Sequence, residues 1–306
     1  MIHRKAERLM GNGFEIAIVS DNQEWAFSMI ELAITEIKRI EKLLTTFSDD
    51  SITNLVNKYA GEKPVKVPKE FFDLVERSLK ISKLTQGAFD ISYGGLDKKF
   101  WNFDLSMKAL PTVSEREEMI KLVNYQNIIL DKTEQTVFLK QKGMRIGFGG
   151  IGKGYAAEMA KWLLQKNGVL NGFVNASGDI SAWGKQDLNK PWTIGIADPN
   201  HKNQLFSSLQ INNQAIATSG NYEKYVVIDG KKYSHTIDPK TGFPVSGIKS
   251  VTIITANAEL ADALATPIIV MGINAGLDLI NQMNGVECII IDDDDCLYLS
   301  QNIKVN

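Results

Sequence analysis

Cysteine and histidine are scarce: two of the first and three of the second in 306 residues. Cys288 and Cys296 are near enough in sequence to face each other across a hairpin. Two thiols make no disulfide framework, however, and these lack metal-site spacing, so free thiols are expected. An excess of one charge is missing as well. Lysine and arginine number 34 against 36 aspartates and glutamates, a net charge of −2, so nothing argues for a nucleic-acid or anionic-membrane partner. No apolar run reaches the roughly 18 residues of a membrane span. The opening Met1-Ile2-His3-Arg4-Lys5-Ala6-Glu7-Arg8 has no signal-peptide apolar segment. A cytoplasmic chain is expected, or an exported one whose leader has been trimmed. Repeats and low-complexity linkers are also lacking, and we expect one domain over residues 1–306. What is present is 44% hydrophobic and 23% charged residues, the balance of a globular chain with a large core.

Periodicity orders the elements. Phe14, Ile16 and Ile18 alternate as a first strand. Asp21 and Glu24 resemble a capping box ahead of a long helix, whose buried stripe would be Ala26, Met29, Ala33, Ile37, Ile40 and Leu44. A short helix follows Ser51. Residues 68–86 form another amphipathic helix, and residues 127–131 and 135–140 read as a hairpin. The second half is rich in strands, at 172–176, 192–197, 205–211, 215–218 and 249–255, with a hairpin over 225–237 that turns on Asp229-Gly230. Residues 258–283 read as helix, and residues 286–299 as a last hairpin with four aspartates at its tip. Antiparallel pairs without regular βαβ alternation make this an α+β chain.

Two segments carry most of the chemistry. Gly149-Gly150-Ile151-Gly152-Lys153-Gly154-Tyr155-Ala156 is a glycine-rich turn entering a helix, where backbone N–H groups can cradle phosphate. Gly147, Gly149 and Gly152 satisfy the dinucleotide pattern G-x-G-x-x-G. The context is wrong for it: the segment follows a hairpin, and no acid closes a strand about 20 residues later. It also misses a P-loop, because Gly154 stands where the magnesium-holding Ser or Thr belongs. In Ala261-Asp262-Ala263-Leu264-Ala265-Thr266, an acid and a hydroxyl share one helix face among alanines. Either Asp262 is solvated and Thr266 bonds its own backbone, or the pair joins substrate phosphates around magnesium. Pro267 deprives the Ala263 carbonyl of its helical partner. His235, within Tyr233-Ser234-His235-Thr236-Ile237-Asp238-Pro239-Lys240-Thr241-Gly242, is either a hydrogen-bonded strand histidine or a catalyst. His3 and His201 read as solvated. Gly87-Ala88-Phe89-Asp90 is a helix stop followed by an aromatic and an acid.

In this order the segments resemble the ApbE family, the magnesium-dependent FAD:protein FMN transferases, over about residues 10–272. Met10-Gly11 is similar to the family's opening Met-Gly-Thr, with Asn12 for the threonine. Phe47-Ser48-Asp49-Asp50-Ser51 resembles the segment before its small helix, and residues 87–90 its Gly-x-Phe-Asp. Residues 149–156 resemble Gly-Gly-Ile-Ala-Lys-Gly-Tyr-Ala, Asn175-Ala176-Ser177-Gly178-Asp179 resembles Asn-x-Gly-Gly-Asp, and Thr218-Ser219-Gly220-Asn221-Tyr222 resembles Thr-Ser-Gly-Asp-Tyr. Residues 235–242 and 261–266 match almost letter for letter. The chain departs from the pattern at Gly147-Phe148 (Asp-Leu in many relatives), Ser177 (Gly), Phe47 (often Tyr) and Pro267.

The resemblance implies an ApbE-like, T-fold-related architecture of mixed, largely antiparallel sheets layered with helices. It implies that Asp262 and Thr266 bind Mg2+ by side chain and Gly152 by its carbonyl. Met10, Phe47, Ala88, Phe89, Asp90, Gly149, Tyr155 and Thr236 fall where the family contacts FAD, its substrate, and His235 would be the base near the pyrophosphate. The implied reaction joins FMN to a Ser or Thr of an acceptor protein, usually an electron-transport subunit, and releases AMP. Hydrolysis of FAD to FMN and AMP, and FAD binding without turnover, are the competing expectations.

Overall fold

The structure, a computed structural model, describes residues 1–95, 107, 109–186, 190–197, 205–221 and 225–303; His201 and Tyr222 lie outside these. The main sheet contains β1 (Ile2–Leu9), β2 (Asn12–Val19), β6 (Gly172–Ala176), β7 (Asp179–Trp183), β10 (Gln214–Gly220), β13 (Ile248–Thr255), β14 (Glu287–Asp292) and β15 (Leu297–Leu299). They run in that order across the sheet, antiparallel at every pairing. Smaller antiparallel sheets join β3 (Val65–Lys66), β5 (Thr136–Leu139) and β4 (Ile128–Asp131); β8 (Trp192–Ala197) and β9 (Leu205–Ile211); and β11 (Tyr225–Ile228) and β12 (Lys231–Ser234). The helices are α1 (Gln23–Leu44), α2 (Ile52–Lys58), α3 (Lys69–Leu84), α4 (Val113–Ile120), α5 (Gly152–Lys166), α6 (Ala258–Met271) and α7 (Ile273–Asn281). This is the α+β architecture expected. Among the described residues no helix is long and apolar enough to cross a membrane.

One face of the main sheet carries the helices. α1 packs on β1 and β2, α5 on β6 and β7, and α6 on β10 and β13, with α5 between its two neighbours. α1 buries Ala26, Ile30, Ala33, Ile34, Ile37, Ile40 and Leu44. Each fully buried Ile or Leu contributes about 1.5–3 kcal/mol. On the opposite face Phe173, Ile180, Ile216 and Ile254 are covered by Trp192 and Ile194 of β8 and Ile211 of β9.

Several local expectations needed correction. His3, expected to be solvated, is buried, with Nε2 3.0 Å from the Ser20 carbonyl and its ring edge-on to Phe27. α1 is capped by Asn22, which accepts the Trp25 N–H at 3.0 Å, not by Asp21. β1 was not anticipated: an edge strand dense in charge, with Arg4 on Glu15 and Lys5 on Glu31, has little apolar alternation to show. β7 was missed because all five of its residues are buried, which erases the period of two. The helix expected over 258–283 divides at Gly272, whose φ of 83° lies in the left-handed region. α6 itself runs through Pro267. The hairpin turning on Asp229-Gly230 ends at Ser234, and Ile237 instead bridges Pro244, leaving His235 between the two ladders. The cysteines are free, with Cys288 buried and Cys296 exposed.

Candidate active site

The head of α5 meets the middle of α6. The first N–H groups of a helix lack intrahelical partners, and here Gly154 N–H donates to Asp262 Oδ2 at 3.0 Å. The favour is returned at the other end of the contact: Glu158 Oε2 of α5 accepts the Ala258 N–H that opens α6, also at 3.0 Å. Pairs 154–262 and 158–258 run in opposite senses, so the helices are antiparallel. They approach so closely that a Cβ on Gly154 would lie 2.7 Å from Asp262 Cβ and press on the Ala258 carbonyl. Gly152 is different. A Cβ there would meet Phe148, Met10 and Leu44 at 3.5–3.8 Å, ordinary contact distance. An alanine fits at that position, as the comparison with the family pattern implied.

Asp262 is 4% exposed, and a carboxylate so buried needs compensation. Lys153 provides part of it, with Nζ 3.5 Å from Asp262 Oδ1 and 2.8 Å from Asp179 Oδ2. Burial opposes the Lys153 charge, but the carboxylates of Asp262 and Asp179 outweigh it and hold the ammonium above its ordinary pKa. Thr266 Oγ1 lies 3.1 Å from Ser219 Oγ at the end of β10. Two residues on, Asn221 Oδ1 accepts from Thr236 Oγ1 at 2.7 Å. His235, which precedes Thr236, is exposed. Contacts also tie in the other motifs: the Met10 methyl faces Gly152, the Phe89 ring lies 3.5 Å from a Cβ built on Gly150, and the Lys240 side chain lies 3.7 Å from one built on Gly87.

Seven stretches, spread from residue 10 to residue 266, thus converge on one end of the helix layer. A model of the ApbE family matches residues 10–290 of the chain. The chain belongs to the ApbE family. A protein of Klebsiella pneumoniae (strain 342) is 31% identical over 294 residues, covering 95% of this chain and 90% of the relative. One of Treponema pallidum (strain Nichols) is 29% identical, covering 98% and 87%. Both relatives are named FAD:protein FMN transferase. The crystal structure of the ApbE protein from Thermotoga maritima matches with a TM-score of 0.89 at 29% identity, over 98% of this chain and 97% of that one. The flavin transferase ApbE from Vibrio cholerae shares the fold with a TM-score of 0.86 at 24% identity, over 98% and 97%.

Not every residue implied by the ApbE resemblance lies in the same setting. Asp262 meets the head of α5 at Gly154, two residues after Gly152, which has the Met10 methyl against it; Thr266 lies one turn further along α6, its hydroxyl on Ser219 of β10. Met10 and Gly11 both have positive φ, forming the two-residue turn between β1 and β2. Ser177, which replaces a family glycine, has a φ of 56°, so its backbone is left-handed. Phe47 is 88% exposed in the loop after α1. Asp90 is held by the protein itself: Oδ1 accepts from the Ser92 N–H and hydroxyl in its own turn, and Oδ2 from the distant Tyr125 N–H, while burial raises its pKa. Tyr155 is 2% exposed and donates its hydroxyl to Glu70 Oε1 at 2.6 Å inside the helix layer. Ala88 helps line a cavity of about 230 Å³ with Gln86, Asp238, Lys240, Val270 and Met271. Asp179 and Ser219, which the motifs hold without assigning them a role, join this region through their contacts with Lys153 and Thr266.

Proposed function

We propose that this protein is a magnesium-dependent FAD:protein FMN transferase, attaching FMN through a phosphoester to a Ser or Thr hydroxyl of an acceptor protein and releasing AMP. The observation that carries this reading is the junction of α5 and α6, where the glycine-rich head of α5 binds a buried acid that lies one helical turn before a hydroxyl. The names of the relatives agree with it.

The donors suit a hard cation. Magnesium takes oxygen ligands and usually combines one or two protein groups with substrate phosphates. Asp262 Oδ1, held only at 3.5 Å by Lys153, together with the Thr266 hydroxyl and the Gly152 carbonyl, supplies oxygen alone. When bound, the cation neutralises charge developing on the departing phosphate. The chain's own groups do the rest. The glycine turn at the head of α5 leaves backbone open to a pyrophosphate; a Cβ position on Gly149 has nothing within 4 Å. His235 is exposed, where a ring nitrogen can take the proton of the attacking hydroxyl as oxygen bonds to the FMN-side phosphorus and the bond to AMP breaks. Met10, Phe47, Ala88, Phe89, Asp90, Gly149, Tyr155 and Thr236 are assigned to the FAD site, directly or by shaping it. An electron-transport subunit is the expected acceptor.

The test is incubation of the purified protein with FAD, magnesium and an acceptor domain carrying a Ser/Thr flavinylation motif. Fluorescent acceptor after denaturation is the expected result. Free FMN without labelled acceptor would make the protein an FAD hydrolase, and intact FAD a flavin binder.

A further inference from the structure

Three charges meet at the head of α5, and the roles above use only one of them. Lys153 leaves α5 and is shared unequally: 2.8 Å from Asp179 Oδ2 at the start of β7, but 3.5 Å from Asp262 Oδ1 in α6. The first distance is a close ion pair, and the second lies at the limit of a hydrogen bond. Asp179 and Asp262 are 3% and 4% exposed, so neither charge is relieved by water. Asp262 has one oxygen pinned by the Gly154 N–H and the other under a loosely held ammonium. That second oxygen is the one available to a cation. An ammonium moved fully onto it would compete with a divalent ion for the same place.

We propose that Asp179 is a positioning residue: it anchors Lys153 so that the ammonium balances the buried carboxylates of the metal-free site yet stays off the cation-binding oxygen of Asp262. Asp179 acts through Lys153, not as a ligand. This rests on the metal reading above. It makes the two partners of one ion pair act in opposite directions on cation affinity, whereas a purely structural pair would lose affinity with either partner.

The test is Mn2+ titration of the full chain without FAD, followed by electron paramagnetic resonance, with far-UV circular dichroism as the check on folding. Asp179→Asn frees Lys153 to close on Asp262 and weakens Mn2+ binding by about fivefold or more, the scale of coupling between contacting charges. Lys153→Met removes the competitor and tightens binding. In the Lys153→Met background, Asp179→Asn then changes affinity by less than about twofold. Unchanged or tighter binding in Asp179→Asn overturns the proposal. So does an equal loss in both backgrounds, which would mean that Asp179 attracts the cation by itself. Should Lys153→Met not fold, Lys153→Gln takes its place in the same cycle. Asp262→Asn separates the two levels. If it binds Mn2+ like the wild type, the metal reading fails; if it does not bind and the cycle shows no coupling, only the role of Asp179 falls.

Discussion

Glycines 152 and 154 are two residues apart and answer to different demands. At 154 the nearest obstacles to a side chain are the Ala258 carbonyl and Asp262 Cβ, neither of which can swing aside. Gly154→Ala should cost about 1–3 kcal/mol, the usual penalty of overpacking. It should also lower turnover, because it pushes Asp262 away from the head of α5. Gly152→Ala meets only ordinary contacts and should leave both urea midpoint and activity close to wild type. Equal damage from both substitutions would mean that the α5–α6 approach is not what limits the site. His235 makes a separate case. It is exposed between the hairpin and the bridge of Ile237 with Pro244, and the role proposed for it is that of a base. General-base help is worth about 10²–10⁴-fold, so His235→Ala should lower kcat by that order with little change in FAD affinity. A loss confined to affinity, measured by calorimetry, would make it a binding residue.

Among the elements, α1, α3 and α5 are joined through Glu70. Arg39 of α1 donates to both its oxygens at 2.8 Å, and Tyr155 of α5 donates at 2.6 Å. Burial alone would raise the Glu70 pKa, but the bonds from Arg39 and Tyr155 outweigh it and hold it below the ordinary 4.5. A lowered carboxylate pKa contributes stability above the unfolded value and loses it as pH falls through the folded one. Glu70→Gln should therefore cost about 1–3 kcal/mol at neutral pH, the scale of charged hydrogen bonds. Its deficit against wild type should fade as the pH drops below about 4.5, seen by urea melts across the acid range. A deficit independent of pH would assign the loss to packing. This network was not legible in the sequence, since Arg39, Glu70 and Tyr155 belong to different helices and their spacing carries no local signal. The helices themselves were legible: the stripe of α1 repeats at helical spacing, and the end of α3 is marked by Gln86-Gly87, both with positive φ. β7, buried throughout, and β1, charged along its length, lacked the alternation by which strands are read. At the site, the glycine turn and the Asp262–Thr266 pair could be read because each lies within one short segment. The pairing of Lys153 with Asp179 joins α5 to β7 and exists only once the sheet has formed.

Over the whole molecule, one apolar cluster reaches from Leu9 of β1 to Ile290 of β14 and takes in α1, α3, α5 and α6. We infer from this continuity that the chain unfolds as one domain, in a single transition whose midpoint agrees between circular dichroism and tryptophan fluorescence. Two separated transitions would refute it. FAD with magnesium should raise that midpoint, because a ligand at 100 times its Kd adds about 2.7 kcal/mol to a native state that alone binds it. Asp262→Ala should remove most of the magnesium-dependent part of the rise. The mutual capping of α5 and α6 has a consequence for descent. Asp262 secures the start of its neighbouring helix as well as facing the site, so a lineage that abandoned flavin chemistry would still keep that acid for its architecture. Its survival in a distant cousin is therefore poor proof of turnover. Thr266, whose side-chain bond among the described residues is to Ser219 across the layer, has no such capping duty, so on the metal role proposed for it its loss is the better sign that an enzyme has become something else.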